Sequence, residues 1–180
     1  MVVSFSDKVY LLQDLTADRQ LLERAVSGTE AQGPTAWHDA LLVVLRRLAR
    51  EEGRRAVILL TDGGDTASQA TYEDTLERAR LSEALVYTIG LGTSGLDLSV
   101  RSRLKELAEV TGGRSFMVSK AEELQQVYTQ ILADLRNLYY LTYEPADQEW
   151  NGGWRAISLD VKGRGLKVRT RSGYYGVPPG

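Results

Sequence analysis

The residues best placed to do chemistry lie in one run, VILLTDGGDT, from Val57 to Thr66. Four apolar residues lead straight into Thr61, Asp62, Gly63, Gly64 and Asp65. A carboxylate at the end of a buried strand, set in a glycine turn, fits four things: an ordinary turn, a phosphate cradle, a catalytic acid or a metal ligand. A phosphate cradle of the Gly-x-x-x-x-Gly-Lys-Ser/Thr type needs a lysine that is missing here, and no Gly-x-Gly-x-x-Gly follows a strand. Serine-triad hydrolysis needs a histidine base. His38 is the only histidine, and its place in the first turn of a helix reads as that of a half-exposed helix residue. Gly92-Thr93-Ser94-Gly95 has the wrong spacing for a nucleophile elbow. Phosphoryl chemistry on Asp62 lacks a second carboxylate at a strand end. With no cysteine in the chain, thiolate ligands, a thiol nucleophile and disulfides are excluded. Oxygen donors remain. Thr35 opens a helical segment and Asp62 ends a strand. A hydroxyl and a carboxylate are hard ligands suited to Mg²⁺, Mn²⁺ or Ca²⁺. Taken singly, the threonine also reads as a helix cap and the aspartate as the start of a turn.

For the two to share a crevice, an α/β frame must bring them to one sheet edge. Met1–Phe5 and Val9–Leu15 are β-rich runs separated by Ser6, Asp7 and Lys8, which reads as a hairpin. Ala17 to Gly28 reads as a short helix. Trp37, Leu41, Val44, Leu45 and Leu48 recur on one helical face. Ala56–Leu60 is a continuous apolar run, as expected for a parallel strand covered on both faces. Tyr72, Leu76 and Ala79 mark a further helix, Ala84–Gly92 a strand, and Val100, Leu104, Leu107 and Ala108 another helix closed by Gly112 and Gly113. Arg114–Val118 is a short strand. Ser119 with Glu122 reads as a capping box for a helix whose apolar face is Leu124, Val127, Tyr128, Ile131, Leu132 and Leu135. Strands joined by such helices imply right-handed βαβ crossovers. The expected fold is therefore α/β: a three-layer, doubly wound, Rossmann-like and mostly parallel sheet, with a small antiparallel β extension at the C-terminus. In such sheets ligands sit beyond the carboxyl ends of the strands. Asp62 and the loop before the Thr35 helix both belong to that edge.

Helices give out after Asn137. Leu138–Pro145, Trp154–Val161 and Leu166–Tyr175 are three β-type runs, with turn signals at Asn151-Gly152-Gly153 and at Lys162-Gly163-Arg164-Gly165. The stripe of Lys167, Arg169 and Arg171 reads as a solvated strand face. Residues 1–137 are thus expected to form the main domain, 138–176 a β-rich extension and 177–180 a tail. Hydrophobic residues make up 43% of the 180, charged residues 26%, and the net charge is −2, which suits one soluble core-forming domain and offers no nucleic-acid footprint. No apolar run approaches the ~18 residues of a membrane span, and no signal-peptide layout is present.

Gly33 to Leu41, GPTAWHDAL, followed by RRAVILLTDGGDT and VYTIGLG, resembles the von Willebrand factor A domain. The tail, with LYYLTYEP, WRAISLDV and an Arg-x-Gly-Tyr ending at Arg171 to Tyr174, is similar to a bacterial subgroup of proteins related to that domain. The resemblance implies a non-catalytic, adhesion-type protein-binding module with a metal-ion-dependent site. Thr35 would be the ligand from the second loop and Asp62 the ligand from the third. Mg²⁺ is the ion implied, with Mn²⁺ and Ca²⁺ as alternatives, and an acidic side chain from a protein partner would complete its coordination. Pro34, Gly63, Gly64 and Asp65 would form the partner-binding rim. The alternatives are a metal-independent interaction domain and, less favoured, a metal-assisted hydrolase. The subgroup implies an extracytoplasmic location. The family's first-loop Asp-x-Ser-x-Ser motif is absent, and Ser4 to Asp7 belongs to the hairpin. The expectation is that the family's first strand and helix are missing, that the metal site is partial, and that the sheet lacks a central strand.

Overall fold

The computed structural model describes residues 1–30, 33–92, 97–145, 150–163, 165–166 and 168–177. A hairpin opens the chain: β1 (Val2–Phe5) and β2 (Val9–Gln13) pair antiparallel. Helix α1 (Arg19–Ser27) follows, capped by the Asp18 carboxylate on the amides of Gln20 and Leu21 and closed by Gly28. Helix α2 (Trp37–Leu48) leads to β3 (Ala56–Thr61), α3 (Tyr72–Leu81), β4 (Leu85–Leu91), α4 (Leu98–Thr111), β5 (Ser115–Val118) and α5 (Leu124–Arg136). Two short strands, β6 (Trp154–Ala156) and β7 (Gly173–Tyr175), pair antiparallel near the C-terminus.

Strands β3, β4 and β5 form a parallel sheet in that order, with α3 and α4 as the crossovers. Register pairs Val57 with Val86, Leu59 with Thr88 and Thr61 with Gly90. Because side chains alternate along a strand, these face one side, and Ile58, Leu60, Tyr87 and Ile89 face the other. The first side packs against α2, α3 and α4 through Trp37, Leu41, Leu45, Leu76, Leu104 and Leu107. The second packs against α5 through Val127 and Ile131. The result is a three-layer α/β fold, with the helical faces of α2, α3 and α4 buried as their spacing predicts. Val86, Ile89, Leu104 and Leu107 are completely buried, each stabilising by roughly 1.5–3 kcal/mol relative to exposure.

Several expectations need correction. Strand β3 is not covered on both faces: Ile58 is 41% exposed and Leu60 36%. Helix α5 lies over Tyr87 and Ile89 but does not reach β3. Within α5, Tyr128 and Leu132 also remain exposed, so its buried stripe is narrower than its apolar one. Ser119 and Glu122 do not form a capping box. A 3₁₀ turn at Ala121–Glu123 precedes α5, and Glu123 accepts from the Ser119 amide. A real capping box opens α3, where Thr71 and Asp74 cap each other's backbone. Of the three β-type runs after Asn137, only residues 154–156 and 173–175 form strands among the described residues, while Tyr139, Tyr140, Leu141 and Tyr143 are all largely exposed. Arg164, Lys167, part of Gly92–Gly95 and residues 178–180 lie outside the described residues.

The C-terminal segment is nonetheless strapped to the main domain. The Arg171 guanidinium donates to the carbonyls of Arg80 (2.6 Å), Ser82 (3.4 Å) and Gly173 (2.9 Å). It thereby satisfies carbonyls at the end of α3, which lack intrahelical donors. Tyr175 donates to Glu77 at 2.8 Å, and the Ser172 amide donates to Val110. Gly112 ends α4 with a left-handed φ of 83°, and a Cβ there would stand 2.9 Å from the Arg171 nitrogen. Glycine is needed both for the turn and for the approach of the strap.

Candidate functional site

The carboxyl end of β3 turns sharply after Thr61. The buried Thr61 hydroxyl donates to the Gly63 carbonyl at 3.0 Å and faces the Gly63 amide at 3.3 Å, pinning the turn. Asp62 stands at the outside of this turn, exposed, and its carboxylate takes no hydrogen-bond partner among the described residues. A Cβ at Gly63 would meet nothing within 4 Å, so that side of the turn is open; one at Gly64 would press on Val100 of α4 at 3.2 Å. Gly63 therefore leaves room for approach on that side. Gly64 instead fits the close packing of the turn against α4.

The Thr35 loop adjoins this turn. The Thr35 amide donates to the Thr66 hydroxyl at 2.9 Å, and the Thr35 carbonyl accepts from the amides of Thr66 (2.8 Å) and Ala67 (3.2 Å). Pro34 is exposed beside it and Thr35 is half-buried. Thr35 is not the helix cap: Ala36 holds that position and supplies no side-chain bond. The structure thus joins the Thr35 and Asp62 loops at one edge of the sheet. Among the described residues no group of three or more carboxylate or imidazole side chains gathers as a metal cluster. Two hard oxygen donors still match Mg²⁺, which keeps several waters and is commonly held by only one or two carboxylates.

Asp65 does not belong to the rim. Its side chain is 7% exposed and turned inward. It accepts from the His38 amide (2.8 Å), the Ser68 amide (2.9 Å), the Ser68 hydroxyl (2.6 Å) and, more weakly, the Ala67 amide (3.3 Å). The first turn of a helix carries unsatisfied amides and a partial positive charge. With no side-chain cap of its own, α2 takes one from this distant loop. Burial pushes the Asp65 carboxyl up, but the bonds from His38 and Ser68 outweigh it and hold it below the usual carboxylate range.

Asp39 returns the favour. From within α2 its carboxylate accepts the amides of Gln69 (2.9 Å) and Ala70 (3.0 Å), and its own amide donates to the Ser68 hydroxyl (3.1 Å). Two carboxylates, one from each segment, therefore cross-clamp the loops that carry Thr35 and Asp62. Neither Asp39 nor Ser68 was singled out from sequence. The available signal was an aspartate in the first helical turn and an Asp-x-x-Ser pattern at Asp65 to Ser68.

His38 is buried, 6% exposed, rather than half-exposed. Burial lowers its pKa, only partly offset by Asp65 and the Ala70 carbonyl. The imidazole is neutral at pH 7, so its 3.5 Å approach to Asp65 is not an ion pair. Nδ1 faces two acceptors, Ala70 at 3.3 Å and Asp65, and therefore carries the proton. Ser68 donates to Asp65 and not to His38. A serine–histidine–aspartate relay needs the histidine between the other two, so this trio is not a hydrolytic triad.

The sequence pattern of the von Willebrand factor type A domain matches residues 1–130. Among solved structures, the chain is similar to a von Willebrand factor type A protein from Catenulispora acidiphila, at 20% identity and a TM-score of 0.61 over 73% of this chain and 32% of that one. It is similar to the conserved hypothetical protein BatB from Bacteroides thetaiotaomicron, at 18% identity and a TM-score of 0.57, over 76% of this chain and 78% of that one. It is also similar to proximal thread matrix protein 1 from the mussel byssus, at 24% identity and a TM-score of 0.58, over 72% of this chain and 33% of that one. No curated protein matches the chain. At these identities the structural likenesses establish the fold, and the sequence pattern, spanning hairpin, sheet and site loops, establishes the family. The chain belongs to the von Willebrand factor type A domain family.

Proposed function

We propose that this chain is a non-catalytic protein-recognition module whose contact surface is the carboxyl edge of the sheet around Asp62. Members of the family generally act in protein–protein interaction and adhesion, which supports the class of function. A divalent cation, Mg²⁺ in the first instance, is held there by Asp62 and Thr35, with water and an acidic side chain of the partner supplying the remaining oxygens. The observation that carries the reading is the Asp62 carboxylate itself. It is exposed, unpartnered among the described residues, and placed on a turn whose Gly63 leaves open space. The cross-clamp of Asp39 and Asp65 supports it by fixing the two donor loops against each other. Metal-independent recognition on the same surface is the second reading, favoured by the small number of ligands among the described residues. The subgroup resemblance supports action outside the cytoplasm, and no described helix is long and apolar enough to cross a membrane.

Calorimetric titration with MgCl₂ and MnCl₂ tests the reading, with Asp62→Ala as the comparison. Ion-specific heat in the natural chain that disappears in Asp62→Ala is expected. The Asp62 carboxylate bonds to no other described residue, so the variant should unfold within about 0.5 kcal/mol of the parent. Absence of ion-specific heat, or equal heat in both proteins, overturns the metal-dependent reading in favour of the metal-independent one.

A further inference from the structure

At the edge of the sheet opposite Asp62, where the chain enters β3 and β4, lies a cavity of about 310 Å³. Its floor is the two entering segments, tied by the Leu85 amide to the Arg55 carbonyl at 3.0 Å. Its walls are the last turns of α2 and α3, which present Leu45, Leu48 and Leu81. Two guanidiniums line it, those of Arg55 and Arg78. Arg55 is committed: it donates to the Leu48 carbonyl at 3.5 Å and pairs with Glu83, whose side chain is largely exposed. Arg171, which reaches the rim at Ser82, is committed to the carbonyls that end α3. These two cations answer the negative ends of α2 and α3. Arg78 is different. Among the described residues its side chain makes no hydrogen bond and no ion pair. A long cation at a helix end ordinarily keeps its head group in water. Here Nε is buried without an acceptor, and only the two terminal nitrogens stay open.

We propose that this cavity binds a small apolar monocarboxylate, with its carboxylate forked across the two terminal nitrogens of Arg78 and its hydrocarbon body against Leu45, Leu48 and Leu81. The two halves of the ligand follow from separate features. A planar guanidinium with both terminal nitrogens free matches the two oxygens of a carboxylate. Partly desolvated and unpaired, it gains from a negative charge what no described residue supplies. The surroundings limit that charge to one. Arg55 and Glu83 offset each other, and Arg171 is met by helix-end carbonyls, so a single positive charge is left over. The leucine walls favour hydrocarbon. The volume is at the lower end of the roughly 300–1,000 Å³ typical of small-ligand sites, which suits a short-chain acid. The cavity lies between helices over two strands that pair with each other, and it shares no residue with the Asp62 and Thr35 loops. It is therefore independent of the metal-dependent reading.

The test is a titration of the ¹⁵N-labelled full chain with sodium hexanoate, followed by amide NMR shifts at neutral pH, constant ionic strength and in EDTA. The chelator keeps the outcome separate from the metal-dependent reading. Saturable shifts are expected at Ala49, Ser82 and Ala84, which line the cavity. Hexan-1-ol keeps the hydrocarbon body without the charge, and acetate keeps the charge without the body. Each should bind at least about tenfold more weakly, as should hexanoate to Arg78→Gln. Because the Arg78 side chain bonds to no described residue, that variant should stay folded; if it unfolds, the hexanol and acetate comparisons decide alone. No saturable shifts, shifts confined to another part of the chain, equal affinity for either control, or unchanged affinity in folded Arg78→Gln overturns the proposal.

Discussion

Replacing Asp65 tests whether the site is assembled by a cap reaching across the sequence. Asp65→Ala removes an acceptor from four donors. Two of them keep other prospects. The Ala67 amide still reaches the Thr35 carbonyl, and the Ser68 hydroxyl can rotate while accepting from Asp39. The amides of His38 and Ser68 have no substitute, and each part-buried donor left unmade costs about 1–3 kcal/mol. Losing a negative charge at the start of α2 adds up to about 1 kcal/mol. The expected loss is about 3–4 kcal/mol in urea unfolding at pH 7, or a fall in Tm of about 10 °C for a chain of this length. Asp65→Asn keeps one carbonyl oxygen but turns an NH₂ toward a donor, and should lose about half as much. The folded-state pKa of Asp65 is depressed. Its contribution is therefore present above the unfolded value of about 3.9 and disappears as pH falls through the folded value. The gap between parent and Asp65→Ala should shrink below about pH 4. A loss under about 1 kcal/mol at pH 7, or a gap that does not narrow as pH falls below about 4, would refute the cap.

Two further outcomes follow from other contacts. His38 has a lowered folded pKa, so the unfolded chain takes up its proton first as pH drops below about 6.5. Stability of the natural chain should fall from pH 7 toward 5, by at most about 1.4 kcal/mol per pH unit, and His38→Gln should flatten that slope in pH-dependent urea melts. Arg171→Ala leaves the Arg80 and Gly173 carbonyls without their charged donor and should cost about 2–3 kcal/mol. Limited proteolysis should then cut residues 138–177 faster than in the parent, and Arg171→Lys should rescue less than half, since an ammonium cannot span the same carbonyls.

The repeating elements were legible in the sequence because they depend on short-range periodicity. The buried faces of α2, α3 and α4 follow from the spacing of Trp37, Leu41 and Leu45, of Tyr72, Leu76 and Ala79, and of Leu104 and Leu107. The order of strands and helices fixes the parallel sheet, and so puts Thr35 and Asp62 at one edge. The direction in which Asp65 points was not legible. A loop carboxylate reads as exposed unless the position of a helix start far along the chain is known, and only packing brings residues 38 and 65 together. His38 was misjudged for the same reason: besides neighbouring Trp37, its burial comes from the loop at Ala70 and the ring of Tyr72, both distant in sequence. Coverage of β3 was misjudged in the opposite sense. An apolar run specifies that a strand can be buried on both sides, but which sides are covered depends on the reach of α5 and on what occupies the open edge. Local sequence thus determined the elements and their order. The tertiary structure alone decided the cross-clamp at the site and the short reach of α5 over the sheet, because both arise between segments whose separation in sequence carries no local signal.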